Sequence, residues 1–303
     1  MGRIKVFIST SSFAKFSREP IDLMTQAGCI CTVNPHGRVM APQELWDLAA
    51  DAEALLAGTE KLDENVLSRL PHLKVISRCG VGTDNIDQQA VRTRKIKVYN
   101  TPDAPTAAVA ELTMGLILNL LRDIPSMSGE LKSGRWNKRM GFLLSGKRVG
   151  IIGYGRIGRK VAELLKAFGC SIKVFDPYLD VGQCGAELTD LKCLLAWADI
   201  ITVHVSSQQL ILGKDEMEHI KEGTWLVNTS RGGVVDEQAL YTALTDRHLA
   251  GAALDVYQKE PYEGPLAKLD NVLLTPHVGS YAREARIHME VEAARNLITG
   301  IGK

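Results

Sequence analysis

The chain carries no excess of charge of either sign: 36 Lys and Arg stand against 35 Asp and Glu across 303 residues. A nucleic-acid binder advertises itself by a basic balance or a basic stripe, so no nucleic-acid partner is expected. A long apolar run is missing as well. The most apolar stretch, Leu112 to Leu121, is interrupted by Asn119 and followed by Arg122 and Asp123, well short of the roughly 20 residues a bilayer-spanning helix needs. Met1 to Thr10 shows no basic segment, apolar run and small-residue cleavage site of a secretory signal. Val6 stands where a myristoylation pattern requires Ser or Thr. A cytoplasmic protein with no membrane partner is the expectation. The six cysteines, at 29, 31, 79, 170, 184 and 193, form no C-x-x-C pair, so neither a zinc site nor a redox dithiol is expected and no metal is called for. Cys29 and Cys31 alternate within a short strand-like run and read as small apolar residues sharing one face of a reduced core. Short-period repeats and low-complexity segments are also lacking.

What is present is an alternation of elements. The length exceeds that of a typical single domain, which favours two. In the first hundred residues, β-branched runs at Lys5 to Ser9, Cys29 to Val33, Ala54 to Ala57, Lys74 to Ser77 and Lys97 to Asn100 alternate with helix-like stretches at Pro20 to Ala27, Pro42 to Ala50 and Asn65 to Leu70. That alternation implies a parallel sheet with helices on both faces, an α/β fold. After Thr101-Pro102-Asp103-Ala104-Pro105 comes a long apolar helix, Thr106 to Arg122, read as a bridge between domains; Lys132 to Leu144 reads as largely irregular. A second alternating series begins at Arg148. Its expected strands are Arg148 to Ile152, Ser171 to Phe175, Ile200 to His204, Trp225 to Thr229, Gly251 to Asp255 and Asn271 to Leu274, six in all, the count of a dinucleotide-binding fold. A last helix spans Arg283 to Thr299, and no regulatory domain is expected after it.

Gly153-Tyr154-Gly155-Arg156-Ile157-Gly158 follows one of these strands and opens a helix, and Asp176 ends the next strand. Alone, G-x-G-x-x-G is weak; with strand, helix and acidic residue in place it points to a dinucleotide site. Gly153 permits the tight turn, Gly155 lets backbone approach a pyrophosphate, and Gly158 brings helix against strand. The helix N-terminus then offers free N–H groups and a partial positive charge to the phosphates. Asp176 can accept hydrogen bonds from both ribose hydroxyls and repels a 2′-phosphate, so NAD is expected over NADP. Arg156, between the glycines, is a candidate pyrophosphate contact, and Ile157, His204, Thr229 and Gly279 are counted with the cofactor site.

Three later strands each end in a polar residue of useful chemistry: Arg231 in Asn228-Thr229-Ser230-Arg231-Gly232-Gly233, Glu260 in Asp255-Val256-Tyr257-Gln258-Lys259-Glu260-Pro261, and His277 in Thr275-Pro276-His277-Val278-Gly279. Ligands of α/β sheets bind beyond the carboxyl ends of strands. Reducing a 2-oxo acid needs a planar cation for the carboxylate, which Arg231 offers as a bidentate fork. It also needs a proton donor for the carbonyl oxygen, the role suited to His277, with Glu260 as that proton's carboxylate partner.

At these residues the chain resembles the D-isomer-specific 2-hydroxyacid dehydrogenases, in particular their phosphoglycerate dehydrogenase-like branch. The resemblance runs from Ile8-Ser9-Thr10-Ser11 through Arg78-Cys79-Gly80-Val81-Gly82-Thr83-Asp84-Asn85-Ile86-Asp87 and Asn100-Thr101-Pro102 to the C-terminal helix. It implies that Arg231 holds the substrate carboxylate, that Val81 and Gly82 N–H groups bind its other side, that Glu260 and His277 form the proton-donating pair, and that Asp255 receives the nicotinamide carboxamide. It implies two doubly wound parallel-sheet domains, a Rossmann NAD-binding domain (residues 100–279) inserted into a flavodoxin-like substrate domain (residues 1–99 and 280–303). A homodimer is implied too, in some members of which the Trp-containing segment around Trp136 reaches towards the neighbouring subunit's cleft; for Trp136 itself packing or dimerisation is favoured over a substrate contact. Two departures stand out. Gly58 occupies the position where phosphoglycerate-specific members place an arginine, leaving only Lys61, Lys138 or Arg139 to meet a phosphate; and Val205-Ser206-Ser207-Gln208-Gln209 lacks the family's customary proline. The substrate is thus a small 2-hydroxy or 2-oxo acid, with a glyoxylate or hydroxypyruvate-type reductase as the alternative within the family. Relatives acting on formate pair the histidine with an amide where this chain has Glu260, against that reaction. A non-catalytic NAD(H)-sensing binding protein or corepressor is the alternative of another class.

Overall fold

The computed structural model describes residues 3–179 and 186–302, so Cys184 lies outside the described residues. The chain divides into two compact units, Met1–Pro105 with Ser280–Lys303 and Thr106–Gly279.

The first unit runs β1 (Ile4–Ile8), α1 (Glu19–Gln26), β2 (Cys29–Val33), α2 (Pro42–Ala49), β3 (Ala54–Ala57), α3 (Glu64–Leu67), β4 (Val75–Arg78), α4 (Gln88–Thr93) and β5 (Lys97–Tyr99), and takes in the C-terminal helix Arg283–Gly300. All its strands pair in parallel, in the order β2-β1-β3-β4-β5, which is the flavodoxin-like order. The period-2 alternation of the strands decides which helices cover which face. Val6, Ile8, Ala54, Leu56 and Val75 point to one side, where they meet Met24 of α1 and Met289, Ala293 and Leu297 of the C-terminal helix. Phe7, Leu55, Ala57 and Ile76 point to the other, against Leu45 of α2, Val66 of α3 and Val91 of α4. Cys29 and Cys31 both lie in the first of these layers, and burial pushes the Cys31 thiol up to about 11, as expected of inert core residues. The C-terminal helix sits hard against the sheet: Ser77 Oγ donates to the Ala293 carbonyl at 2.7 Å, and a Cβ on Gly300 would lie 2.7 Å from Val75 Cγ1.

The first boundary differs from the sequence expectation of residue 99. Residues 100–105 stay with the first unit because Thr101 N–H donates to the Gly80 carbonyl, Asn296 Nδ2 donates to the Asn100 carbonyl, and Ala104 is buried in the layer beneath the C-terminal helix.

The second unit runs α5 (Thr106–Arg122), α6 (Ile124–Lys132), β6 (Arg148–Ile152), α7 (Arg156–Ala167), β7 (Ser171–Phe175), β8 (Glu187–Leu188), α8 (Leu191–Trp197), β9 (Ile200–Val203), α9 (Lys214–His219), β10 (Thr224–Asn228), α10 (Glu237–Thr245), β11 (Leu249–Leu254) and β12 (Val272–Leu274). Its sheet is again wholly parallel, ordered β12-β11-β10-β9-β6-β7-β8. The order reverses between β6 and β9, the switch point beyond which Rossmann folds bind nucleotides. Val149, Ile151, Val227 and Ala253 face α5 and α7 through Met114, Ile117, Leu121, Val161 and Leu165. Ile152, Ile201, Val203, Leu226 and Leu254 face α8 and α10 through Leu194, Leu195, Leu240 and Leu244. Each such fully buried aliphatic contributes roughly 1.5–3 kcal/mol.

Among the described residues seven strands form this sheet, one more than expected, because β8 is a two-residue strand too short to show a period. Helix α6 was not expected either. Asp123 takes a left-handed conformation (φ 48°) that ends the run of α5, and Pro125 in the next turn starts α6. No helix among the described residues is long and apolar enough to cross a membrane.

Candidate active site

The glycine-rich turn leaves β6 and enters α7. Gly153 has φ 89°, and a Cβ there would lie 2.8 Å from the His204 carbonyl, so the turn can press against the end of β9 only as glycine. A Cβ on Gly158 would lie 2.2 Å from the Gly153 carbonyl oxygen, which fixes how closely α7 approaches the turn. Gly155 is different: a Cβ there meets nothing within 4 Å, so this glycine keeps open a cradle that a side chain would fill. Gly155 is also the N-cap of α7 and supplies no side-chain cap, leaving the first-turn N–H groups, those of Arg156 and Ile157 among them, directed outward. Gly155 and Arg156 are exposed, and Ile157 is half-buried.

Asp176, just past β7, is half-buried; its carboxylate accepts from Tyr154 N–H at 2.8 Å and Tyr178 N–H at 3.0 Å. Two accepted bonds leave acceptor capacity on a group with about four lone-pair sites. His204, the first residue past β9 and beside Gly153, is 8% exposed. Its Nε2 pairs with Thr202 Oγ1 at 2.8 Å, while Nδ1 is buried without a hydrogen-bond partner. Burial drives this imidazole down to about 3, so it is neutral near pH 7. An open glycine cradle at a helix N-terminus, an acidic residue at the next strand end and an orphaned buried nitrogen alongside are the donors and acceptors a dinucleotide requires. The residues therefore fit that group. Thr229, buried past β10, shares a hydrogen bond with Thr113 at 2.9 Å.

Past β10 the chain turns sharply. Asn228 Oδ1 accepts from Ser230 N–H at 3.0 Å, and Asn228 Nδ2 donates to the Arg231 carbonyl at 3.0 Å. The Arg231 guanidinium, half-buried, donates from one nitrogen to the Ser230 carbonyl at 2.8 Å. A Cβ on Gly232 would fall 1.8 Å from the Tyr257 carbonyl oxygen. Only glycine lets the arginine loop lie against the loop that carries Glu260.

Glu260 and His277 meet directly. His277 Nδ1 lies 2.9 Å from Glu260 Oε2 and 3.1 Å from Oε1, with the side chains 52% and 38% exposed respectively. The histidine takes a left-handed backbone conformation, φ 53°, an uncommon state for a residue with a Cβ. Asp255 holds that shape. It is 1% exposed, and its carboxylate accepts from Thr275 Oγ1 at 2.6 Å, Val278 N–H at 2.8 Å and Gly279 N–H at 2.8 Å. Three residues, on both sides of the histidine, are thus tied to one buried group. Gly279, counted with the cofactor contacts from sequence, has its N–H engaged there. Tyr257 adds a second tie, donating its hydroxyl to the Thr275 carbonyl at 2.9 Å. Neither Thr275 nor Tyr257 was singled out from sequence, although both lie inside motifs that were. The residue types gave the chemistry, and only the fold shows which of them hold the loop.

Val81 and Gly82 belong to the first unit. They follow Gly80, whose φ of 148° and close approach to Arg78 suit glycine. Asn100 Nδ2 fixes the turn through the Val81 carbonyl at 2.7 Å, and among the described residues neither the Val81 nor the Gly82 N–H has a protein partner. Successive free N–H groups of this kind make an anion nest. No group of His, Cys, Asp and Glu that could hold a metal occurs among the described residues.

Comparison with known proteins gives the family. Residues 114–279, more than half of the chain, match the model of the D-isomer specific 2-hydroxyacid dehydrogenase, NAD binding domain. The D-3-phosphoglycerate dehydrogenase of Archaeoglobus fulgidus is 39% identical over 93% of this chain and 55% of its own length; the chain spans about half the length of such curated relatives. The hydroxypyruvate reductase of Thermotoga maritima is 36% identical over 86% of this chain and 88% of its own. A glyoxylate reductase from Paecilomyes thermophila superposes with a TM-score of 0.89 at 27% identity, covering 100% of this chain and 97% of that one. With a family-model match over more than half of its length and a hydroxypyruvate reductase 36% identical and covered over 88% of its own length, the chain belongs to the D-isomer specific 2-hydroxyacid dehydrogenase family.

Proposed function

We propose that the protein is an NAD-dependent oxidoreductase acting between C2 of a small 2-hydroxy or 2-oxo acid and the nicotinamide. The observation that carries this reading is the His277–Glu260 pair at 2.9 Å, half-exposed and held by a loop anchored on Asp255.

A bound nicotinamide supplies the hydride chemistry. In the direction of reduction, the Arg231 guanidinium binds the substrate carboxylate bidentately; in the first unit, the free N–H groups of Val81 and Gly82 are the candidate carboxylate ligands. His277 turns Nδ1–H to Glu260, which orients the ring, and in the imidazolium form this leaves Nε2–H for the carbonyl oxygen at C2. As C2 becomes tetrahedral, that proton completes the alcohol; in the reverse direction Nε2 receives it. Gly153, Gly155, Arg156, Ile157 and Gly158 receive the pyrophosphate, Asp176 the ribose hydroxyls, and His204, Thr229 and Gly279 border the same cofactor. Asp255, with three of about four acceptor sites engaged, retains one direction for a carboxamide N–H.

The protein acts as a homodimer in this reading. Trp136, Met140 and Leu143 are 77%, 95% and 74% exposed within one short segment, an apolar patch of the kind a second copy covers.

An NADH-oxidation screen over a panel of 2-oxo acids, with and without a C3 phosphate, tests the function. Turnover of at least one member supports it. Tight NADH binding with no turnover anywhere in the panel would replace it with the cofactor-sensing alternative.

A further inference from the structure

Tyr257 lies between Asp255 and Glu260 in the loop past β11 and is 8% exposed. It reaches both halves of the Glu260–His277 pair. Its backbone N–H donates to Glu260 Oε1 at 3.2 Å, the oxygen that also lies 3.1 Å from His277 Nδ1. The terminal torsion of a glutamate is otherwise broad. Anchored through that oxygen, the carboxylate keeps both its oxygens turned to the imidazole. The phenol works from the other side. Its one proton faces the Thr275 carbonyl at 2.9 Å, nearer than the Leu254 carbonyl at 3.1 Å. The Thr275 carbonyl also accepts from His277 N–H at 3.0 Å, so both its lone pairs serve the turn that carries the histidine.

A left-handed residue with a Cβ persists only where its surroundings over-determine it. At His277, φ 53°, restraints arrive from two directions. Asp255 holds Thr275, Val278 and Gly279, and Tyr257 ties the same turn to the segment that carries Glu260. The phenol stays a donor, because burial, with the Asp255 carboxylate adding to it, pushes it up to about 12. Its ring is placed separately, by stacking on Tyr262 with centroids 4.5 Å and planes 22° apart. Tyr262 is held in turn, its hydroxyl accepting from Leu266 N–H at 3.2 Å. Ring and hydroxyl therefore have separable roles: the ring packs, and the hydroxyl reaches the histidine's turn.

We propose that Tyr257 is a positioning residue for the proton exchange, its N–H and its hydroxyl together holding Glu260 and His277 in register so that Nε2 stays aimed at the substrate oxygen. It touches no reacting atom and acts through His277. A misplacement of about 1 Å in a reacting group costs on the order of a hundredfold in rate, and loss of one restraint among several costs less. This inference rests on the 2-oxo acid reading above and deepens it.

The test removes the hydroxyl alone, in Tyr257→Phe, which keeps the ring and its stack. With the best 2-oxo acid kcat falls by about tenfold, while KM for the acid and the NADH dissociation constant stay within about threefold. Added to His277→Ala, the same substitution changes kcat by less than about threefold, because a residue that acts through the imidazole then has nothing to act on. A fall of less than about threefold in the single variant, or a further fall of about threefold or more on top of His277→Ala, overturns the assignment. A last measurement needs no turnover: hydrogen exchange of the His277 amide quickens by about tenfold in Tyr257→Phe while the amides of β6 keep their rates. An unchanged rate at His277, or a general rise that includes β6, overturns the assignment too. Absence of turnover with every 2-oxo acid sinks the enzymatic reading instead, and the exchange comparison then still judges Tyr257.

Discussion

Single residues here differ in chemistry because of what surrounds them. Burial holds the His204 imidazole down to about 3, against an ordinary 6.5. Between those values the unfolded chain takes up a proton at this position that the native state refuses. Stability contributed by the neutral ring is complete above pH 6.5 and is lost as pH falls toward 3. Urea unfolding between about pH 6 and pH 5 should therefore show a loss near 1.4 kcal/mol per pH unit from this group alone, and His204→Gln should flatten that slope. An identical slope in the variant would show that the ring protonates freely in the native state. Asp176 offers a second residue-scale test. Removing its carboxylate in Asp176→Ala takes away both the acceptor for a ribose hydroxyl and the repulsion of a 2′-phosphate. The ratio of kcat/KM with NADPH to that with NADH should rise by about tenfold or more; no relative gain for NADPH would remove Asp176 from cofactor choice.

Among the elements, the loops past β10, β11 and β12 carry the account. Gly232 packs one against the next, and Asp255 clamps the last on three donors. Asp255→Asn keeps the shape but presents an N–H to one of those donors, so the left-handed turn at His277 loosens. Because Asn keeps an acceptor oxygen for the carboxamide, we expect kcat to fall by about tenfold or more while the NADH dissociation constant changes by less than about threefold; a larger loss in NADH affinity than in kcat would show that Asp255 serves the carboxamide more than the His277 loop. These elements also show how far sequence carries. The strand, glycine turn and helix around Gly153 to Gly158 are local and were legible, as was the place of Arg231, Glu260 and His277 in the loops that follow β10, β11 and β12. Strand β8 was not legible, because two residues show no alternation. Nor was α6, whose start depends on a left-handed Asp123.

At the scale of the whole molecule, two sheets of parallel strands and one exposed apolar segment set the expectations. Most of the chain's large apolar residues are in the two cores, yet Trp136, Met140 and Leu143 remain in water. Equilibrium sedimentation should find a dimer, and paired substitution Trp136→Glu with Leu143→Glu should yield a folded monomer. A wild-type monomer at micromolar concentration would contradict the covered patch.

The central claim is that His277, oriented by Glu260, exchanges the proton at the substrate oxygen. It is tested most directly by measuring NADH oxidation with the best 2-oxo acid for wild type and His277→Ala, with NADH affinity determined on both. The account predicts a fall in kcat of about a hundredfold or more, with NADH affinity nearly unchanged. A variant that turns over as fast as the wild type would contradict it.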